Sequence, residues 1–433
     1  MTPGARIDAA LRALEAIGSS PQNADAVLRD FFKSRRYAGA HDRRAVTDMV
    51  YGLLRQQGEL LWRCGEDAPW RRLMIAYLAL HEGRDLPGVE ALFDGDRYGP
   101  ESLSAAERSW LPTLAGDAPP PPTWAQGNFP AWLSDDLGEQ FGDALLDEMT
   151  ALNQPAAVDL RINALRATRE EVAEALAAEG IETTPGRWSP DALRLARPRR
   201  LTRHPLFLQG AIEVQDEGSQ LVGLLVDAQP GQQVVDLCAG AGGKTLELAA
   251  AMKNSGQIYA FDTHGKRLAR MKPRLDRAGV RNVQTHRLPT AVGVLDELAG
   301  KADRVLVDAP CSGTGTWRRH PSARWRLRPA HLAAHHDVQP LLLRQAADLV
   351  RPGGRLIYAT CSVLMSEDQA PVRAFLADRP DFRAVPAEEA WAAVLPGVAM
   401  PARAAVEPGL LLTPRRHDTD AFYVAVLERG EGA

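Results

Sequence analysis

From Leu206 onward, short apolar runs alternate with amphipathic, helix-length segments. This alternation restricts the fold more than any other feature of the chain. Strands separated by helices lie parallel in one sheet, with the helices covering both faces. Strands are expected at 233–237, 258–261, 283–285, 304–307 and 355–358, with a late one at 422–427. Helices are expected between them at 244–252, 266–278, 333–350 and 366–377. The fold class is therefore α/β, with a Rossmann-like doubly wound domain over residues 206–433.

A chain of 433 residues exceeds the ~250–300 residues that one core sustains, so further domains are expected upstream. Residues 1–115 carry apolar stripes at helical spacing: Ile7, Leu11, Leu14 and Ile17, then Val27, Leu28, Phe31 and Phe32, then Val46, Met49, Val50, Leu53 and Leu54, with a fourth from Trp70 to Leu80. This predicts an all-α bundle. The segment 116–123 holds four consecutive prolines and reads as a linker. Residues 124–205 mix helix and strand patterns and predict a small α+β subdomain.

With 45% hydrophobic and 24% charged residues the composition is that of a globular protein, which excludes disordered and fibrous classes. No apolar stretch reaches the ~20 residues of a membrane span and no signal pattern opens the chain, so a cytoplasmic monomer is expected. The net charge of −4 does not advertise a nucleic-acid partner, and such a role must rest on local basic runs. One holds Lys33, Arg35, Arg36, Arg43 and Arg44; a solvated helix end explains it as well as a phosphate contact does. A second holds Arg194, Arg197, Arg199, Arg200 and Arg203. A third spans Lys266 to Arg287. The fourth, Trp317 to Arg328, interleaves Arg318, Arg319 and Arg324 with Trp317 and Trp325, and is the strongest RNA-binding candidate.

The strand at 233–237 runs into Cys238-Ala239-Gly240-Ala241-Gly242-Gly243-Lys244-Thr245. A P-loop would need glycine where Cys238 stands, and a dinucleotide fingerprint would need its third glycine at Thr245. Both are disfavoured. What remains suits a nucleoside cofactor without a pyrophosphate, with Asp262 placed to accept ribose hydroxyls or, alternatively, to cap the next helix. S-adenosylmethionine fits that description.

Four cysteines stand far apart, which excludes a disulfide scaffold. Two of them follow strand ends, in Asp308-Ala309-Pro310-Cys311 and Thr360-Cys361-Ser362. Carbon 5 of a pyrimidine is a poor nucleophile until a thiolate adds at carbon 6, so cysteines here point to carbon methylation. Either cysteine taken alone is usually an inert small hydrophobe, and it is the pair at adjacent strand ends that weighs against that reading. His331, His335 and His336 share a helix but lack the glutamate and further ligands of a zinc site, so no metal is expected.

These motifs, with Arg161-Ile162-Asn163, Val214-Gln215-Asp216-Glu217-Gly218-Ser219 and Thr419-Asp420-Ala421-Phe422, resemble the RNA 5-methylcytosine methyltransferases of the RsmB/Sun type. The resemblance implies a class I methyltransferase domain, a small RRM-like RNA-binding subdomain and a NusB-like helical domain that binds RNA. It implies that Cys361 is the nucleophile, that Cys311 assists release, that Asp308 holds the cytosine near the cofactor and that Lys244 stabilises developing charge. Cys238 to Lys244, Asp262 and Asp308 would line the S-adenosylmethionine site, and the substrate would be 16S rRNA. Methylation of tRNA, or a non-catalytic assembly factor, are the alternatives. The chain departs from the family pattern at Gly240-Ala241, where Ala-Pro is usual, and at 286–289, which carry no acid.

Overall fold

The computed structural model describes residues 1–116, 119–402 and 404–431, with Ala115 described by its backbone alone. Two compact units result. The first comprises the described residues of Met1–Gln154 together with Trp317–Leu327; the second comprises Pro155–Thr316 and the described residues from Arg328 onward.

The first unit is helical. Helices Pro3–Ser19, Ala24–Lys33, Ala40–Cys64 and Trp70–Leu80 turn their apolar stripes into one core that includes Ile7, Leu14, Phe31, Val50 and Leu53. Thr2 starts the first helix by accepting the Ala5 N–H at 3.2 Å, with Pro3 in the first turn. Helices Thr123–Gln126, Ser134–Phe141 and Leu145–Asn153 belong to this unit as well. The reason is a set of hydrogen bonds to helix Ala40–Cys64: Asn128 accepts the Gly58 N–H at 2.6 Å, and Asn153 donates to the Arg55 carbonyl at 2.6 Å. The division into compact units falls after 154, and the expected linker, 116–123, includes Asp117 and Ala118, which lie outside the described residues.

The second unit holds two sheets. The smaller uses β1 (Asp159–Ile162), β2 (Thr183–Pro185), β3 (Ala192–Leu195) and β4 (Ile212–Val214), all antiparallel in the order β2-β3-β1-β4. A capping box between Thr168 and Glu171 starts the helix Arg169–Ala178, whose Val172 and Leu176 pack with Leu160 and Leu193. This is the expected small α+β subdomain.

The larger sheet comprises β5 (Gln233–Asp236), β6 (Gln257–Asp262), β7 (Val283–Arg287), β8 (Ala302–Asp308), β9 (Val350–Thr360), β10 (Phe382–Ala384), β11 (Leu410–Leu412) and β12 (Phe422–Arg429). Its order is β10-β12-β9-β8-β5-β6-β7, with β11 also paired to β12. Strands β5 to β9 are parallel; β12 runs antiparallel to β9. Val234, Val235, Val305 and Val307 are buried, as helices on both faces of a parallel sheet require. Strand order reverses between β5 and β8, so the crevice beyond their carboxyl ends is where such sheets bind ligands. Among the described residues no helix is long and apolar enough to cross a membrane.

Candidate active site

Three strand ends meet at this reversal. The β5 turn lies between its neighbours: the Leu237 N–H donates to Leu306 O and the Ala239 N–H to Phe261 O, each at 2.9 Å. Gly242 has a φ of +84°, and a Cβ there would lie 2.5 Å from Met271 Cγ. A side chain is thus barred by conformation and by space. Gly240 also has positive φ, +58°, but a Cβ on it would meet nothing within 4 Å. The space over the turn is therefore open, as a cofactor cradle requires.

Asp262, at the end of β6, accepts the Gly240 N–H at 2.8 Å and the His264 N–H at 2.6 Å. It therefore ties the glycine turn to the next helix, and both oxygens keep a lone pair for a further donor. Asp236 receives the Thr245 hydroxyl at 2.7 Å, and burial pushes its carboxyl up to about 7. The Cys238 thiol is pushed up chiefly by burial. At the end of β7, His286 stacks on Phe261 with centroids 5.0 Å apart, and no acid stands at 286–289.

Lys244, in the first turn of helix Gly243–Ala251, donates to Asp308 at the end of β8 at 2.8 Å. Burial alone would lower its pKa; the Asp308 charge and hydrogen bond, joined by Cys361, overcome this and hold the ammonium protonated. Its Nζ also lies 5.3 Å from the Phe422 ring centroid.

Cys311 and Cys361 follow adjacent parallel strands, and their Sγ atoms stand 3.5 Å apart. The loop after β8 is fastened over the end of β9: Ala309 N–H donates to Ala359 O at 2.8 Å and Gly315 N–H to Cys361 O at 2.9 Å. A Cβ on Gly315 would come within 2.4 Å of Ala421 O. The Cys311 thiol is raised well above its ordinary value, first by its hydrogen bond to Cys361 and then by burial.

Sequence reasoning missed Glu367. Its buried carboxylate accepts the Ser312 N–H at 2.8 Å and the Ser312 hydroxyl, and faces His335 Nδ1 at 3.2 Å. Burial would raise its pKa, but these donors outweigh it and hold the carboxyl below its ordinary value. The signal was faint, since only an acid six residues after Cys361 marks it. The histidine helix thus spends His335 on Glu367, and among the described residues no three His, Cys, Asp or Glu side chains converge as metal ligands.

The arginine candidates separate. Arg199 and Arg200 are exposed beyond β3. Arg194 of the same run is committed to Asp159 at 2.7 Å. The run at 317–328 needs correction, because Trp317 and Arg324 are 0% exposed and Arg318 is 4% exposed. Arg324 donates to Asn153 Oδ1 at 3.1 Å, Leu152 O at 3.3 Å and Asn128 O, and its guanidinium lies 4.8 Å from the Trp317 centroid. The Arg324 side chain is therefore core of the first unit rather than an RNA-facing surface, and the Arg318 side chain is buried. Arg319 is half-buried.

The model of the 16S rRNA methyltransferase RsmB/F family matches residues 223–428, and a ferredoxin-like domain of RsmF/B-like methyltransferases matches 129–202. A probable ribosomal RNA small subunit methyltransferase B of Synechocystis is 36% identical over 70% of this chain and 67% of the relative. The chain belongs to the RsmB/F methyltransferase family. A putative methyltransferase of Mycobacterium tuberculosis is 32% identical over 97% of this chain and 96% of that one. The crystal structure of PH0851 matches over 99% of both chains, with a TM-score of 0.77 and 28% identity. Membership makes the β5–β8 crevice the place to seek methyl transfer.

Proposed function

We propose that this RsmB/F family member transfers a methyl group from S-adenosylmethionine to carbon 5 of a cytosine in small-subunit ribosomal RNA. The observation that carries the reading is the pair of thiols 3.5 Å apart, beside the Lys244–Asp308 pair, at the carboxyl ends of adjacent strands. Amine or hydroxyl methylation needs no such pair, whereas carbon 5 must be activated by addition at carbon 6. The names of the curated relatives supply the RNA class.

Residues 238–244 with Asp262 and Asp308 would hold S-adenosylmethionine, which would supply an electrophilic methyl group and leave as S-adenosylhomocysteine. Cys361 acts as nucleophile: its sulfur bonds to carbon 6, and the displaced electron pair reaches carbon 5, which bonds the methyl. Asp308 hydrogen-bonds the cytosine ring, and the Lys244 charge stabilises the electron-rich ring. The carbon-5 proton then passes to solvent water, its electron pair re-forms the 5,6 double bond, and the carbon–sulfur pair returns to Cys361, a step Cys311 assists. Two thiolates 3.5 Å apart would repel, so one sulfur of the pair keeps its proton at rest and can donate to the other. Arg199, Arg200 and Arg319 remain candidates for phosphate contacts. A base inside a duplex cannot reach such a crevice, so the target is unpaired or flipped out.

The test is a pair of variants incubated with RNA and S-adenosylmethionine. Cys311→Ala should accumulate a covalent RNA adduct that survives denaturing electrophoresis, and Cys361→Ala should give neither adduct nor product. Methylated cytosine from Cys361→Ala would refute the assignment.

A further inference from the structure

Arg274 belongs to the basic run from Lys266 to Arg287, yet its guanidinium is engaged by the protein itself. It stands three residues after Met271 on helix Gly265–Ala278, and side chains at that spacing share one helix face. Met271 lies against Gly242, its Cγ 2.5 Å from where a Cβ would stand. Arg274 reaches the neighbouring residue of the same turn, donating to Ala241 O at 2.6 Å. The second arm of its fork donates to Glu213 Oε2 at 3.1 Å.

This bridge joins two places that each need support. Gly240 has a φ of +58°, and a Cβ on it would meet nothing within 4 Å, so no packed side chain sets the conformation there. Asp262 fixes the Gly240 N–H at 2.8 Å, and Arg274 fixes the carbonyl of the next residue. The turn is thus gripped from the end of β6 and from the helix that follows it. Glu213, in β4 of the small sheet, is 4% exposed, and a carboxylate so buried requires partners. Arg274 is one. Arg277 is the other, donating to Glu213 Oε1 while its guanidinium lies 4.0 Å from the Phe207 ring centroid. The two arginines therefore divide: Arg277 fastens the helix to the small-sheet side, and Arg274 carries that anchorage across to the glycine turn. A planar guanidinium presents donors in fixed, divergent directions and can span both acceptors, whereas an ammonium is a point charge.

We infer that Arg274 is a positioning residue for the cofactor: held by Glu213, it fixes the Ala241 carbonyl and so sets the shape of the turn that binds S-adenosylmethionine. The inference deepens the proposed function and rests on its reading of the cofactor. It also makes the small sheet a support of the cofactor site, since one end of the bridge is anchored in β4. A reading of local charge could not show this, because Ala241 and Glu213 stand 33 and 61 residues from Arg274 in the chain.

Titration calorimetry of the full-length protein with S-adenosylmethionine, alongside steady-state methylation of RNA, tests it. Arg274→Ala should weaken cofactor binding about tenfold and raise the KM for S-adenosylmethionine by the same factor, with kcat and the KM for RNA within about twofold of wild type. Arg277→Ala removes a partner of the same carboxylate but no tie to the turn; it should lower the melting temperature and still bind the cofactor within about twofold of wild type. Arg274→Lys keeps the charge and loses the fork, and should bind about threefold or more weakly. Wild-type affinity in Arg274→Ala or Arg274→Lys, a loss confined to kcat, or an equal loss of affinity in Arg277→Ala would overturn the inference while leaving methyl transfer intact. Absence of S-adenosylmethionine binding by the wild type would instead refute the cofactor reading, and the inference with it.

Discussion

At the scale of single residues, the site is organised by which groups hold protons. The Cys311 thiol is raised well above its ordinary value by its hydrogen bond to Cys361 and by burial, and the Asp308 charge and hydrogen bond keep Lys244 protonated against burial, so the two sulfurs stand beside a fixed cation. Glu367 acts as a positioning residue: it fixes the backbone beside Cys311 through Ser312. Glu367→Gln weakens charge-assisted hydrogen bonds worth about 1–3 kcal/mol, so kcat should fall about tenfold with the KM for RNA unchanged. An unchanged kcat per folded molecule, together with a lowered melting temperature, would show that Glu367 contributes only to folding. His417 allows a test of pH dependence. It accepts the Thr413 N–H on Nδ1 at 2.8 Å, and burial lowers its pKa to about 4. Between that value and its ordinary 6.5 the unfolded chain binds more protons, so the His417 contribution is present above 6.5 and is lost as pH falls toward 4. Differential melting of wild type and His417→Asn should therefore shift against the wild type from pH 7 to pH 5; a constant difference would contradict this.

At the scale of elements, the glycine turn and the two strand ends do the positioning. Gly242→Ala would place a methyl against Met271 at a φ of +84°, at a cost of about 1–2 kcal/mol. Calorimetry should show S-adenosylmethionine binding weakened about tenfold or more, with the melting temperature lowered by a few degrees. Unchanged affinity would mean that the turn does not cradle the cofactor. These elements were legible in the sequence because parallel strands buried on both faces read as continuous apolar runs, and β5, β6 and β8 lie within a few residues of their expected positions. Strand β9 was less legible. It begins at Val350 rather than 355, running through Pro352-Gly353-Gly354, which local propensity reads as a turn. The short strands β10 and β11 carry three residues each, too few for periodicity to register.

At the scale of the whole molecule, a chain excursion reassigns the arginines. The run after Cys311 looked like an RNA surface because charge is read locally, whereas burial is decided by segments far away in sequence: Arg324 meets Asn128, Leu152 and Asn153. Burial even lowers its pKa to about 9. Arg324→Leu would leave those acceptors without their donors and should destabilise the first unit by about 2–4 kcal/mol, seen as an earlier melting transition. Arg199→Ala/Arg200→Ala should instead leave melting unchanged, weaken RNA binding and reduce its salt dependence by about one to two counterions. The reverse pattern would restore the run at 317–328 as the RNA surface.

The central claim concerns one atom of one base. Small-subunit RNA from cells lacking this enzyme, incubated with the purified protein and methyl-labelled S-adenosylmethionine, can be digested to nucleosides and resolved by mass spectrometry. The proposed chemistry predicts the label in 5-methylcytidine, abolished by Cys361→Ala; label in an N-methylated or ribose-methylated nucleoside, or none at all, would contradict it.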